Sequence, residues 1–222
     1  MKICVVTPYF QENIEWLLQA HASVKSQTMA ARHILVCDGA EPAQIPDFQG
    51  THIVLQRNYR DYGNTPRLIG SYNAMAQDAD AIAFLDADNW YYPDHLAFLM
   101  DIAARTQLDA VASSRMLHRL DGTPMIKCPT LDGQSYIDTS CLVVMRPAFR
   151  HLIAWVLERQ DQAAETDQFL WRSMRDAGAR MAFVDRPSVA YRTRHQVHYG
   201  HAREPHPLGA VRRTDLHGDR YH

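Results

Sequence analysis

The sequence predicts one α/β domain built around a sheet of mostly parallel strands. Short, wholly apolar runs alternate with segments whose apolar residues recur at helical spacing, polar residues collect just beyond the apolar runs, and no linker or internal repeat divides the 222 residues. An apolar run without polar alternation is buried on both faces, as a strand is between two helix layers. Alternation of such strands with helices is what parallel crossovers require.

The first strand is read over 3–9 and is ended by Pro8 and the polar residues behind it. From 13 to about 27, Ile14, Leu17, Leu18, His21 and Val24 trace one helix face. Strands follow over 33–37, closed by Asp38-Gly39, and over 52–55. Pro66 suits the first turn of a helix carrying Leu68, Ile69, Tyr72 and Met75. A fourth strand spans 81–85, and Pro93 leads a helix to about 105. The second half is less regular: a strand over 110–120, a turn at 121–124, a strand over 139–145, helices over 147–158 and 166–177, and strands over 180–184 and 189–192. Gly178 stops the second of those helices. Past His195 the chain is rich in His, Arg, Pro and Gly, and reads as a flexible tail or a flap that orders over a ligand.

Composition narrows the function. A hydrophobic fraction of 46% and a charged fraction of 22% are those of a globular protein able to bury a core. The formal charge of −2 gives no overall pull toward nucleic acid or an anionic membrane. The apolar runs are too short to span a bilayer, and the start lacks a signal-peptide pattern. Cys4, Cys37, Cys128 and Cys141 form no CxxC pair and are expected as reduced, buried thiols of a cytoplasmic protein. GxGxxG, a Walker lysine loop, HExxH and GxSxG are all missing, which argues against dinucleotide oxidoreductases, P-loop enzymes, zinc proteases and serine hydrolases.

Ligands of open α/β sheets sit at the carboxyl ends of strands. There the sequence places Thr7 and Tyr9, then Asp38, then Asp86-Ala87-Asp88. Two carboxylates one residue apart at a strand end can hold a hard divalent cation together with nucleotide phosphates. As a bare triplet the pattern is weak, and Asp78-Ala79-Asp80, which follows no buried strand, reads as a solvated loop.

Several further motifs stand in order: Val5-Val6-Thr7-Pro8-Tyr9, then Ser23-Val24-Lys25-Ser26-Gln27-Thr28, Ile34-Leu35-Val36-Cys37-Asp38-Gly39, and Asn58, Gly63, Asn64, Arg67 and Asn73 ahead of the Asp86-Ala87-Asp88 strand. Through these, residues 1 to about 195 resemble the family 2 glycosyltransferases of GT-A fold. The resemblance implies a Rossmann-like three-layer α/β/α domain over 1–194, with a nucleotide-binding half at 1–105 and an acceptor half at 106–194, followed by the tail at 195–222. It implies inverting transfer of a sugar from a nucleotide-diphosphate sugar to an acceptor hydroxyl, with Mn²⁺ or Mg²⁺ as cofactor. UDP-sugar is the default donor, because Asp38 can accept the imide hydrogen of uracil while Tyr9 stacks on its face. Thr7 and Arg67 complete the donor set, Asp86 is expected on the ribose and Asp88 on the cation. In Glu165-Thr166-Asp167 the catalytic base is expected at Asp167, with Glu165 its rival because Thr166 stands where an acidic residue is usual. Tyr191-Arg192-Thr193-Arg194-His195 is similar to the region that supplies a metal-binding histidine, at His195 or, within the same tail, His198 or His201. Two other classes stay open: a nucleotide- or sugar-binding module of this fold without turnover, and a nucleotidyltransferase, which would want a glycine-rich basic loop where this chain has Thr7-Pro8-Tyr9-Phe10-Gln11.

Overall fold

A computed structural model describes residues 1–39, 42–45, 48–134, 136–157 and 165–212. The apolar runs of the first half become the middle of the sheet: β1 (Ile3–Tyr9) is buried at every position, as are β4 (Ala81–Phe84) and all but the first residue of β2 (Arg32–Cys37). β3 (Gly50–Val54) flanks β2. Between them run α1 (Ile14–Lys25), whose first turn is capped by the Asn13 side chain, and α2 (Asn64–Ala76). The second half adds β5 (Trp90–Tyr91), α3 (His95–Thr106), β6 (Ala110–His118), β7 (Pro124–Lys127), β8 (Leu142–Met145), α4 (Thr166–Asp176), β9 (Met181–Arg192) and α5 (Gln196–Ala202).

The strand order is β3-β2-β1-β4-β8-β6-β9-β5, with β7 on the side of β6. Alternate residues of each central strand feed two cores. Val6, Ile34 and Phe84 pack with Leu68 of α2 and Trp171 of α4, while Val5, Ala83 and Leu85 pack with Val24 of α1 and Leu99 of α3. That is the expected three-layer α/β/α domain. Gly70 lets α2 lie close on β1, since a Cβ there would stand 2.4 Å from a Val6 methyl. The close approach sets the height of the α2 N-terminus over the strand ends.

The sheet is mostly parallel, as expected: β1, β2, β3 and β4 pair in parallel, and β6 pairs in parallel with β9. The antiparallel members are concentrated in the second half, where β7 folds back on β6 as a hairpin and β8 runs antiparallel to both β4 and β6. The structure corrects several finer expectations. The segment 139–145 starts as a 3-10 turn, Thr139–Cys141, because the Asp138 carboxylate accepts from the Ser140 amide at 2.9 Å. The segment expected as a helix over 147–158 is a 3-10 helix, Arg146–Val156, and residue 158 lies outside the described residues. The two strands expected at 180–192 are the single β9, whose register against β6 shifts around Ser114. Residues 195–212 of the expected tail pack on the domain: Tyr199 of α5 is buried, Glu204 pairs with Arg119 at 2.6 Å, and Val211 bridges to His195. Residues 213–222 of the expected tail lie outside the described residues.

Candidate active site

Three strand ends and one helix end converge. Tyr9 closes β1, Asp38 follows β2, Asp86 and Asp88 follow β4, and Arg67 stands in the first turn of α2. Together with Glu12, Asn58 and Tyr62 they line a cleft of about 260 Å³. The Arg67 guanidinium donates to Asp86 at 2.6 Å and to the Tyr62 carbonyl at 2.8 Å, and it lies 5.3 Å over the Trp155 ring. Such a buried, fork-shaped cation with a fixed plane suits anionic oxygens. The Tyr9 hydroxyl is fixed by His52 at 2.6 Å and by the Ala43 amide at 3.0 Å, which leaves its ring as a rigid wall. Asp38 accepts from the Tyr59 amide at 3.1 Å, and burial raises its pKa.

Asp88 is half-buried. Its carboxyl is pushed up to about 7 by burial, with the Asp86 and Glu12 charges adding to the shift. A divalent cation would reverse each of those effects, and hard carboxylate oxygens are the donors Mg²⁺ and Mn²⁺ take. The donor chemistry therefore fits, with phosphate and water oxygens needed to complete a coordination sphere. Among the described residues no three His, Cys, Asp or Glu side chains are grouped to hold a metal by themselves.

The back half brings a further carboxylate within electrostatic reach of the cleft. Asp167 sits in the first turn of α4, accepting from the Gln168 amide at 2.8 Å. Burial, then the Asp138 charge, raises its pKa to about 7, while the field of Arg67 opposes the shift. The charges of Arg67, Asp86 and Asp138 all reach it, so the expected base shares a site with the expected donor residues. The junction is buried and specific: the Asn64 side-chain amide donates to the Thr166 hydroxyl at 3.0 Å, tying the N-termini of α2 and α4. This gives the unusual Thr166 a physical reason, since an acidic side chain there would bring another charge into the interior. Glu165 precedes the helix and is half-buried.

Thr7 is not brought to the cleft. Its side chain is buried within the sheet and bonds to His33 at 2.8 Å. His195 precedes α5, and its ring packs edge-on against His198 at 5.4 Å. His198 is buried and bonded to the Thr193 hydroxyl at 2.6 Å, and burial lowers its pKa to about 3, whereas His201 is exposed. The C-terminal strand nevertheless reaches the metal loop, because Arg192 donates to the Asp88 carbonyl at 2.6 Å. Asn73 stays on the flank of α2, accepting from Gln77 at 2.6 Å. Asp78 and Asp80 stand outside the cleft, paired with Lys2 and Arg146.

Sequence reasoning missed Glu12, Tyr62, Arg115, Asp138 and Ser140. One signal was present: an arginine inside an apolar strand, as Arg115 is, demands a buried anionic partner. It has one in Asp138.

Residues 4–141 match the family described as Glycosyl transferase family 2. The "Succinoglycan biosynthesis protein ExoW" of Rhizobium meliloti (strain 1021) is 28% identical over 180 residues, covering 67% of this chain and 56% of that protein. The chain thus spans little more than half the length of that relative. S. aureus TarS 1-349 in complex with UDP superposes with a TM-score of 0.68 at 12% identity, covering 87% of this chain and 61% of TarS 1-349. The same TarS fragment in complex with UDP-GlcNAc gives 0.67 at 12%, covering 87% and 59%. At that identity the likeness carries the fold, GT-A, and the family match carries the rest: the chain belongs to the family 2 glycosyltransferases.

Proposed function

We propose that the chain is an inverting glycosyltransferase that moves a sugar from a UDP-sugar to an acceptor hydroxyl, with Asp86 on the donor ribose and a divalent cation at Asp88. The observation that carries this reading is the cleft lined by Tyr9, Asp38, Arg67, Asp86 and Asp88, with Asp167 of the back half close enough to feel the charges of Arg67 and Asp86. Tyr9 and Asp38 suit a uracil, and the TarS complexes with UDP and UDP-GlcNAc favour the same donor class. A cation held by Asp88, with His195 as the candidate second protein ligand, would neutralise charge developing on the diphosphate. Arg67 would steady that charge from the α2 side.

Asp167 takes the acceptor proton while the acceptor oxygen attacks the anomeric carbon from the face opposite the diphosphate. The C–O bond to the acceptor forms as the bond to the leaving phosphate breaks, which inverts the centre. A base with a pKa of about 7 is well matched to neutral pH. Holding both substrates in line supplies much of the remaining acceleration. The four buried, free cysteines fit a cytoplasmic site of action.

The test is UDP release from a panel of UDP-sugars with Mn²⁺. The reading predicts release by the parent and its loss in Asp167→Asn with UDP binding retained. A folded parent that binds no nucleoside diphosphate would overturn it.

A further inference from the structure

A buried polar chain runs from the back of the sheet to the metal loop. Arg115 on β6 is 1% exposed and donates to Asp138. It also faces the Tyr191 ring at 3.7 Å and the Tyr136 ring at 5.8 Å. The other oxygen of Asp138 accepts from the Ser140 amide at 2.9 Å, which sets the 3-10 turn. The Ser140 hydroxyl, fully buried, then accepts twice from the loop after β4: from the Asp86 amide at 3.1 Å and from the Asn89 side-chain amide at 3.1 Å. Asn89 in turn accepts from the Arg192 amide at 3.0 Å, and Arg192 holds the Asp88 carbonyl. Both ends of Asp86-Ala87-Asp88 are therefore fastened to the back half rather than to their own strand.

We propose that Ser140, set by the Asp138–Arg115 pair, is a positioning residue that anchors the Asp86–Asn89 loop in the conformation that receives metal and diphosphate. A buried ion pair adds little net stability against apolar packing, so its presence here is better explained by the geometry it fixes. Hydroxyl acceptance of two donors makes the anchor bidentate, and a rigid support is what keeps ligating groups in place. The inference rests on the functional reading for its consequence, but the anchor itself can be measured without it.

In Ser140→Ala the Asp86 amide loses its acceptor while the Arg115–Asp138 pair stays intact. Hydrogen exchange on the 222-residue chain should show the Asp86 amide exchanging at least about tenfold faster, with the β1 and β2 amides unchanged. Calorimetry with UDP should show the Mn²⁺-dependent gain in affinity falling at least about fivefold, while the Kd in chelator moves less than about twofold, because Tyr9 and Asp38 do not lean on the anchor. Ser140→Thr, which keeps the hydroxyl, should restore both readouts. Should Ser140→Ala fail to fold, Ser140→Cys, whose thiol is only a weak acceptor, should change both readouts in the same direction. Unchanged exchange at Asp86, or UDP affinity lost equally with and without Mn²⁺, would overturn the proposal. A parent whose UDP affinity ignores Mn²⁺ sinks the functional reading instead, and exchange alone then decides whether the anchor exists.

Discussion

The two halves of the domain use charge in opposite ways. In the front half, carboxylates stand at the ends of apolar strands and face an open cleft: Asp38 after β2, Asp86 and Asp88 after β4. In the back half, charged groups are inside, where Arg115 and Asp138 neutralise one another and the Asp138 charge still reaches Asp167. On the proposed reading the front half binds an anion–cation ligand because Asp88, raised by burial and by the Asp86 and Glu12 charges, would gain from a cation. The back half can hold a proton in balance because desolvation and a neighbouring carboxylate have raised Asp167 to where it gains and loses one near neutral pH. Donor binding and base catalysis should therefore be separable by mutation.

The sharpest separation is Asp167→Asn. It removes the base and keeps a side-chain oxygen for the Gln168 amide, so we expect UDP and Mn²⁺ affinity close to the parent and transfer reduced at least about a hundredfold. Equal losses in binding and rate would merge the two halves into one function. Asp88→Asn should show the converse: a folded protein whose UDP affinity no longer improves on adding Mn²⁺, a loss of roughly tenfold or more, because a carboxylate at a loop contributes little to stability.

The pH dependence sharpens the comparison further. Transfer should rise about tenfold per unit below a pH of about 7 and level off above it, because Asp167 must be ionised to accept a proton. Stability without ligand should run the other way. Asp88 and Asp167 both have folded pKa values raised above those of the unfolded chain, so the stability their protonated forms contribute is fully present below the ordinary carboxylate range. It is lost as pH climbs to about 7. Melting temperature should fall across that interval, and Asp167→Asn should flatten part of the fall. A parent whose melting temperature rises steadily from pH 5 to 8 contradicts the placement of these carboxyls.

The smallest effect is expected at Glu165→Gln, less than about threefold in rate, since the charges that raise Asp167 do not include Glu165. A loss there equal to that at Asp167 would move the base by two residues.

The same contrast explains what the sequence disclosed. Apolar strands ending in aspartate announce both burial and function, so β1, β2, β4 and the positions of Tyr9, Asp38, Asp86 and Asp88 were legible. Thr7 shares a face of β1 with Tyr9 but lies two residues short of the strand end, where it is buried and bonds to His33, a difference that a strand-end rule ignores. The back half was harder for two reasons. β5 and β7 are too short to show a period. Ser140 and Asp138 matter through a turn whose partners lie far away in sequence, and only folding brings them to Asp86. Asp167 was read from a motif, but its environment, above all Asp138, had no local signature.

The most direct measurement of the whole account is a calorimetric titration of the parent chain with UDP, once with Mn²⁺ and once with chelator. Tyr9, Asp38, Arg67, Asp86 and Asp88 line one cleft, so UDP should bind at a single site, and at least about tenfold more tightly with Mn²⁺. Folded protein that binds UDP equally well in both conditions, or binds it in neither, would contradict the account.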